Sequence, residues 1–355
     1  MQNDVRIEQM NLSERDNVLS FLKTAYLENP RHSDPDFWDW HFRSTPHCQL
    51  DSLPVWLAKS GDRIAGQLAA IPVELNVAGE THSAIWILDL VIDPEFRRQG
   101  IAQKLAKAAL EFCPFVLGVN TVEQHSTALL EKQGFRMVTT IPRFHKVLFP
   151  GEAFREITNL GPIRSITNLA FAPFRRFNRR DAQVRTMPGF DRSFDELWNE
   201  SRDQWPCSVS RSAAMLAWQF KEQPGKKYEI LGLIENNKLL GYAVLFFRKP
   251  NKHGAVEKAA ISDICYHPND AGRVVDALIA ASLQMAVERR VGGLVTDTLD
   301  PLLQERLQHF GFWQVKSGLQ LLVNAPESTD LLYDGSKWFL TRGDSDISIF
   351  EHPNV

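Results

Sequence analysis

The chain has 355 residues, 44% hydrophobic and 23% charged, with 40 basic and 43 acidic side chains and a formal net charge of −3. This length suggests two domains and this composition a globular protein. The balanced charge gives no reason to expect nucleic acid as a partner, and no run of about 18 apolar residues marks a membrane-spanning helix. The opening MQNDVRIEQM lacks a basic stretch followed by an apolar core, so no secretory leader is expected. Cys48, Cys113, Cys207 and Cys265 lie far apart without a C-x-x-C pair. They fit reduced thiols of a cytoplasmic protein, not a zinc site or a disulfide framework, and no metal is expected.

In chain order, residues 5–10 alternate like a short strand. Ser13 with Asp16 three residues on predicts a capped helix to about Leu27, its apolar stripe being Val18, Phe21, Leu22 and Ala25. Pro35 opens a second short helix, DFWDWHF, which ends before Pro46. Residues 55–58, 64–73 and 85–92 read as strands, separated by the turn pairs Gly61-Asp62 and Gly79-Glu80. A helix over 100–112, a strand over 115–119, a helix over 126–132 and a strand from Phe135 complete the order β-α-α-β-β-β-α-β-α-β.

The chain then repeats itself. WHFRSTP from Trp40 matches WQFKEQP from Trp218, and RIAGQLAAI matches KLLGYAVLF around Gly66 and Gly241. DLVIDP from Asp89 matches DICYHP from Asp263, and LLEKQGF matches RLQHFGF. Four collinear matches at offsets of 174 to 178 residues argue for two copies of one fold. Between them, residues 149–181 hold several Pro and Gly and the run FRRFNRR, Phe174 to Arg180. This reads as a basic linker, with contact to an anionic membrane surface as the alternative. The tail from Trp338 reads as a strand and a turn.

PEFRRQGIAQKLAKAAL, from Pro94, carries the chemistry. A helix N-terminus exposes N–H groups and partial positive charge, and so binds anions. Gly100 lets the backbone approach a ligand, and Arg97 and Arg98 add charge suited to phosphate. A diphosphate cradle between the strand over 85–92 and the helix over 100–112 is expected. It is neither a P-loop, since no G-K-[ST] follows, nor a dinucleotide fingerprint, since G-x-G-x-x-G is absent. The second copy, PNDAGRVVDALIAASL, keeps the helix pattern but has Asn269, Asp270 and Ala271 where the arginines should be.

Arg97-Arg98-Gln99-Gly100-Ile101-Ala102 resembles the [RQ]-x-x-G-x-[GA] signature of the GNAT superfamily of acyltransferases, and ALLEKQGF resembles that family's later A-L-Y-E-K-x-G-F block. The resemblance covers about residues 5–149 well and 184–323 as a fold. It implies an α/β (α+β) protein of two tandem GNAT-fold domains, each a mixed, mostly antiparallel sheet flanked by helices. The expected boundaries are 1–149 for the domain with the intact loop, 150–181 for the linker, 182–325 for the degenerate domain and 326–355 for the tail. It further implies acetyl-coenzyme A as co-substrate. Leu90, Val91 and Ile92 would pair with the pantetheine arm. The amides of Arg98, Gln99, Gly100, Ile101 and Ala102, with the Arg97 side chain, would hold the pyrophosphate, and Asn120 would touch the cofactor arm. The cofactor slot would open where two parallel strands splay after Asp89. The family's usual Tyr acid is replaced by Leu130.

For acid–base work Asp89 is the first candidate, on the central strand, although its counterpart Asp263 persists in the half without a cradle; His125 and Glu123 are the others. His32 and Asp34, which have no counterparts in the repeat, are candidates for binding the acceptor, whereas Trp40 and Phe42 read as core. The expected activity is N-acetyl transfer from acetyl-coenzyme A to a small-molecule amine, an amino sugar or nucleotide-linked sugar. The two-half layout is also similar to GNAT-like proteins associated with bacterial surface-polysaccharide synthesis. Two alternatives stand beside it. One is acyl transfer from acyl carrier protein, or Fem-like aminoacyl transfer. The other is a non-catalytic acyl-coenzyme A sensor or scaffold.

Overall fold

The computed structural model describes residues 5–27, 29–121, 126–153, 161–172, 183–248 and 258–344. His125, Glu123 and the run from Phe174 to Arg180 lie outside them. Two mixed sheets flanked by helices make up the molecule, as expected.

The first sheet is built on β1 (Arg6–Gln9), β2 (Val55–Ser60), β3 (Arg63–Val77), β4 (Glu80–Ile92), β5 (Val116–Thr121) and β6 (Arg136–Thr140). The second holds β8 (Val184–Met187), β10 (Tyr228–Glu235), β11 (Lys238–Phe247), β12 (Lys258–Tyr266), β13 (Gly293–Asp297) and β14 (Trp313–Val315). β3 and β4 run well beyond the predicted strands, because their far ends pair with each other and β3 also pairs with β9 (Cys207–Val209) of the second half.

Each sheet is completed by the other half. β7 (Arg143–Val147) lies between β13 and β14 of the second sheet, antiparallel to both. β15 (Leu319–Asn324) lies between β5 and β6 of the first, again antiparallel to both. Boundaries drawn near residues 149 and 325 therefore divide the chain but not the sheets. The exchange leaves no gap between β5 and β6 or between β13 and β14, where unpaired backbone would otherwise be exposed.

On one side of the first sheet, α3 (Ile101–Phe112) buries Ile101, Leu105, Ala106 and Ala109 against Ala65, Leu68 and Ile85. On the other side lie α1 (Arg15–Ala25) and α2 (Pro35–Phe42). The capping residue ahead of α1 is Asn11, not Ser13. Its side chain accepts from Ser13 N, and the Glu14 carboxylate accepts from Asn11 N, so a short 3-10 turn precedes the helix. α2 and α8 (Ala213–Phe220) meet at Trp40 and Trp218, both buried as expected, in a core cluster drawn from both halves. The repeat glycines have a packing reason. A Cβ on Gly66 would fall 3.0 Å from Val91 O, and one on Gly241 3.0 Å from Cys265 O.

α9 (Ala271–Glu288) is the second half's counterpart of α3. In the linker, α6 (Gly161–Ala170) leaves Ile166 and Leu169 exposed. The tail forms a short strand, Trp338–Phe339, and a turn at Arg342–Asp344. Among the described residues, no helix is long and apolar enough to cross a membrane.

Candidate active site

The slot begins where β4 and β5 part. These parallel strands pair at Ile85–Val116 and Trp86–Leu117 and then diverge, earlier than the expected opening after Asp89. Leu90, Val91 and Ile92 sit on β4 beyond the divergence, Val91 and Ile92 bonded to β3 on their other side. Asn120 lies on β5, where its Nδ2 is 3.5 Å from Thr127 Oγ1.

The loop at residues 93–100 leads from β4 into α3. Arg98 and Gly100 both take left-handed φ, 63° and 75°. Gly100 is the N-cap, and no side chain among the described residues caps the helix. Its first-turn N–H groups thus face the slot's end without a carboxylate or hydroxyl on them. The loop residues Arg97 to Gly100 are exposed. Arg63 absorbs the local acids, Asp93 and Glu95, at 2.7 Å each, and against the effect of burial the Glu95 amide, followed by Arg63, holds the Asp93 carboxyl below its usual range. The Arg97 guanidinium reaches back to Ile92 O at 3.3 Å. A Cβ on Gly100 would meet nothing nearer than Gln103 Oε1 at 3.8 Å, so within this chain the glycine answers the backbone angle rather than crowding. An uncapped, cationic helix start with this backbone fits a diphosphate.

In the second half the same junction is shorter and reversed in charge. Four residues, 267–270, link β12 to α9, and Asp270 takes the left-handed N-cap position. Its carboxylate is engaged by Arg273, which also pairs with Glu235 at 2.6 Å. An anion there would meet a carboxylate instead of free N–H groups.

The slot itself is also filled in the second half. β12 and β13 pair through Lys258–Ala260 and then part. Into the gap come Thr341, which bridges to Thr298, and Arg342, whose guanidinium pairs with the fully buried Asp297, the counterpart of Asn120. Arg143 reaches Asp297 at 2.7 Å from the other side. Asp263 accepts from Tyr242 at 2.6 Å, from Thr341 at 2.6 Å and from Arg211 at 3.3 Å. Burial alone would lower the Arg211 pKa, but Asp263 and Asp344 outweigh it and hold the charge. A cavity of about 30 Å³, room for water rather than a ligand, lies between Arg211, Trp86 and Trp218.

In the first half Asp89 has different company. It stands in a bulge of β4 with φ of 53°, a strained backbone for a non-glycine residue. Its side chain is 7% exposed, and Oδ1 lies 3.2 Å from His32 Nδ1 and 3.5 Å from the Tyr26 hydroxyl. The Tyr26 and His32 rings stack with centroids 3.9 Å apart. Beneath them His41 is fully buried; desolvation pushes its pKa down to about 4 despite the pull of Asp89. It is therefore neutral at pH 7.

His32 and Asp89, named from the sequence for different tasks, thus meet. Asp34 does not join them. Its Oδ1 caps α2, accepting from Phe37 N at 2.8 Å, the role Ser212 plays for α8. Leu130 is buried in the core with Leu105 and Phe135, away from any proton-transfer task. Tyr26 and His41 escaped sequence reasoning because Tyr26 stands in no motif and His41 fills the variable position of W-x-F, where the other copy has Gln219. Among the described residues no group of His, Cys, Asp and Glu could hold a metal.

Residues 6–114 match the model of the acetyltransferase (GNAT) domain. The match contains β4, the α3 N-terminus, Asp89 and His32. The chain is similar to human N-acetyltransferase 8, 30% identical over 87 residues, which are 23% of this chain and 37% of that one. It thus spans little more than a third of that relative's length. Across both halves it resembles a GCN5-related N-acetyltransferase from Anabaena variabilis, with TM-score 0.61 at 13% identity over 90% of this chain and 72% of that one. It also resembles Saccharomyces cerevisiae N-myristoyltransferase with bound myristoyl-CoA, with TM-score 0.60 at 13% identity over 91% of this chain and 83% of that one. These two likenesses concern the fold.

Proposed function

We propose that the protein is an acyl-coenzyme A-dependent N-acyltransferase with one site per chain, in the first half, acting on a small-molecule amine. The observation that carries the reading is the uncapped, cationic start of α3 at the mouth of the β4–β5 splay, with the Asp89–His32 pair beside it. Acyl-coenzyme A would bring an activated thioester. The first-turn amides with Arg97 and Arg98 would hold its diphosphate, and the β4 edge from Leu90 to Ile92 would hold its arm.

The acceptor ammonium first gives one proton to water. The free amine nitrogen then bonds to the thioester carbonyl carbon, Asp89, backed by His32, takes one N–H proton from that nitrogen, the carbon–sulfur bond breaks, and the thiolate leaves. With Leu130 in the core, the thiolate is protonated by water or by the Tyr26 hydroxyl, 3.5 Å from Asp89. Acetyl is the acyl group we propose, and an amino sugar or nucleotide-linked sugar of a cytoplasmic polysaccharide pathway the acceptor. The second half, with Arg342 and Asp297 in its slot, serves as structural partner to the first.

Calorimetric titration with acetyl-coenzyme A tests the reading, followed by thiol release with a panel of amines. One site per chain and amine-dependent release are expected. Binding without release by any amine would favour the sensor or scaffold alternative, and no binding would overturn the assignment of the loop.

A further inference from the structure

Gln67 is fully buried in β3, and neither atom of its carboxamide has a hydrogen-bond partner among the described residues. Burying an unsatisfied amide is costly, and such a group calls for an explanation. The strand's alternation gives its direction. A Cβ on the preceding Gly66 would run into Ile92 and touch Ile101 at 3.6 Å, on the α3 side of the sheet. Gln67 therefore faces the other side, beneath α1 and α2, as does its β2 partner Leu57. That is the side on which His32 and Tyr26 meet Asp89.

The second half supplies an internal control. Tyr242 follows Gly241 as Gln67 follows Gly66. It is registered with Cys265 as Gln67 is with Val91, and Asp263 precedes Cys265 by two residues as Asp89 precedes Val91. There the pair is closed, the Tyr242 hydroxyl donating to Asp263 at 2.6 Å, with Thr341 and Arg211 completing the carboxylate's shell. In the first half the residue at the same place makes no bond to the carboxylate.

We infer that Gln67 is a specificity-determining residue for the acceptor, its carboxamide oxygen receiving an N–H of the amine whose proton Asp89 takes. This rests on the acyltransfer reading above. The chemistry then selects a primary amine. After the nitrogen has bonded to the carbonyl carbon, one N–H proton leaves to Asp89 and one remains in the product amide. That surviving N–H stays on Gln67 from bound amine to product. A secondary amine loses its last N–H in the same step, and a hydroxyl its only proton, so either would leave the carboxamide unsatisfied at the end.

The test compares wild type with Gln67→Leu, using acetyl-coenzyme A and three primary amines, ethanolamine, glucosamine and glycinamide, each beside its N-methyl form. For wild type the primary amine is favoured by about 10-fold or more in kcat/KM. In Gln67→Leu the amine KM rises by about 10-fold, the preference over the N-methyl form shrinks, and acetyl-coenzyme A binding by calorimetry is unchanged. Removal of an unsatisfied buried amide leaves Tm equal or higher. A Tm that falls makes the amide structural and overturns the inference whatever the activity. An unchanged KM and preference in Gln67→Leu overturns the inference while leaving acyl transfer standing. A wild type that binds acetyl-coenzyme A and acylates none of the amines overturns acyl transfer, and the role of Gln67 with it.

Discussion

Trp40 and Trp218 each donate the indole N–H to the other's backbone carbonyl, at 2.8 Å in both directions, with the rings stacked at 5.0 Å. The pair lies where the two halves meet and repeats the same bond under the same local symmetry. Phe at either position keeps most of the apolar area but strands a buried carbonyl, so Trp40→Phe and Trp218→Phe should each cost about 1–3 kcal/mol. The double variant should cost less than the sum, because the two bonds share one interface. Urea unfolding of the three variants measures both the size and the coupling.

The start of α3 and the start of α9 should respond differently to charge. Gly100→Ala forces a side chain into a left-handed angle of 75° and should cost about 1–2 kcal/mol of stability. Gly100→Glu adds a carboxylate where the diphosphate would sit and should weaken acetyl-coenzyme A about 10- to 100-fold. Arg273→Glu in the second half should leave that affinity unchanged. Calorimetry on the variants decides, and equal effects from Gly100→Glu and Arg273→Glu would mean that the one-site assignment is mistaken.

Asp89→Asn keeps the size of the side chain and removes the proton acceptor. The expected result is a loss of about 100-fold or more in kcat with acetyl-coenzyme A affinity intact. Asp263→Asn should spare kcat and lower stability instead, since its carboxylate serves Arg211, Tyr242 and Thr341. Stopped-flow thiol release and thermal unfolding, run on both variants, separate the two roles.

His41 makes stability depend on pH with a defined sign. In the folded chain burial lowers its pKa to about 4 from 6.5. The unfolded chain thus takes up the proton first as pH falls. The stability contributed by neutral His41 is complete above pH 6.5 and is lost as pH drops toward 4, by about 3 kcal/mol over the window. His41→Phe should flatten the profile there. Urea midpoints measured from pH 7 to pH 4 on both proteins check it, and parallel profiles would show that His41 is not the group responsible.

Much of this was legible from local pattern. The order of elements from β1 to β6, the duplicated glycines at 66 and 241, and the cationic helix start at Arg97 to Gly100 all depend on near neighbours in the chain. So does the loss of that start at Asp270. The roles of Trp40 and Phe42 as core followed from the repeat. Gln67 could have been suspected from the same alignment, as a lone amide in the apolar run IAGQLAAI, where the other copy has Tyr242.

What the linear order could not carry are contacts between segments far apart. The exchange of β7 and β15 changes no local propensity, since either strand suits either sheet; packing of the two halves selects it. His32 became the partner of Asp89, 57 positions away, because the turn before α2 folds over the β4 bulge. Asp34, two residues on, was claimed by the helix cap. The same tertiary closure filled the second slot with Thr341 and Arg342, while the first half kept its helix start uncapped and its buried amide unbonded. Sequence determined which segments could be strand and helix and which helix start kept its cations; the burial of distant charges against one another decided which of the two strand splays was filled.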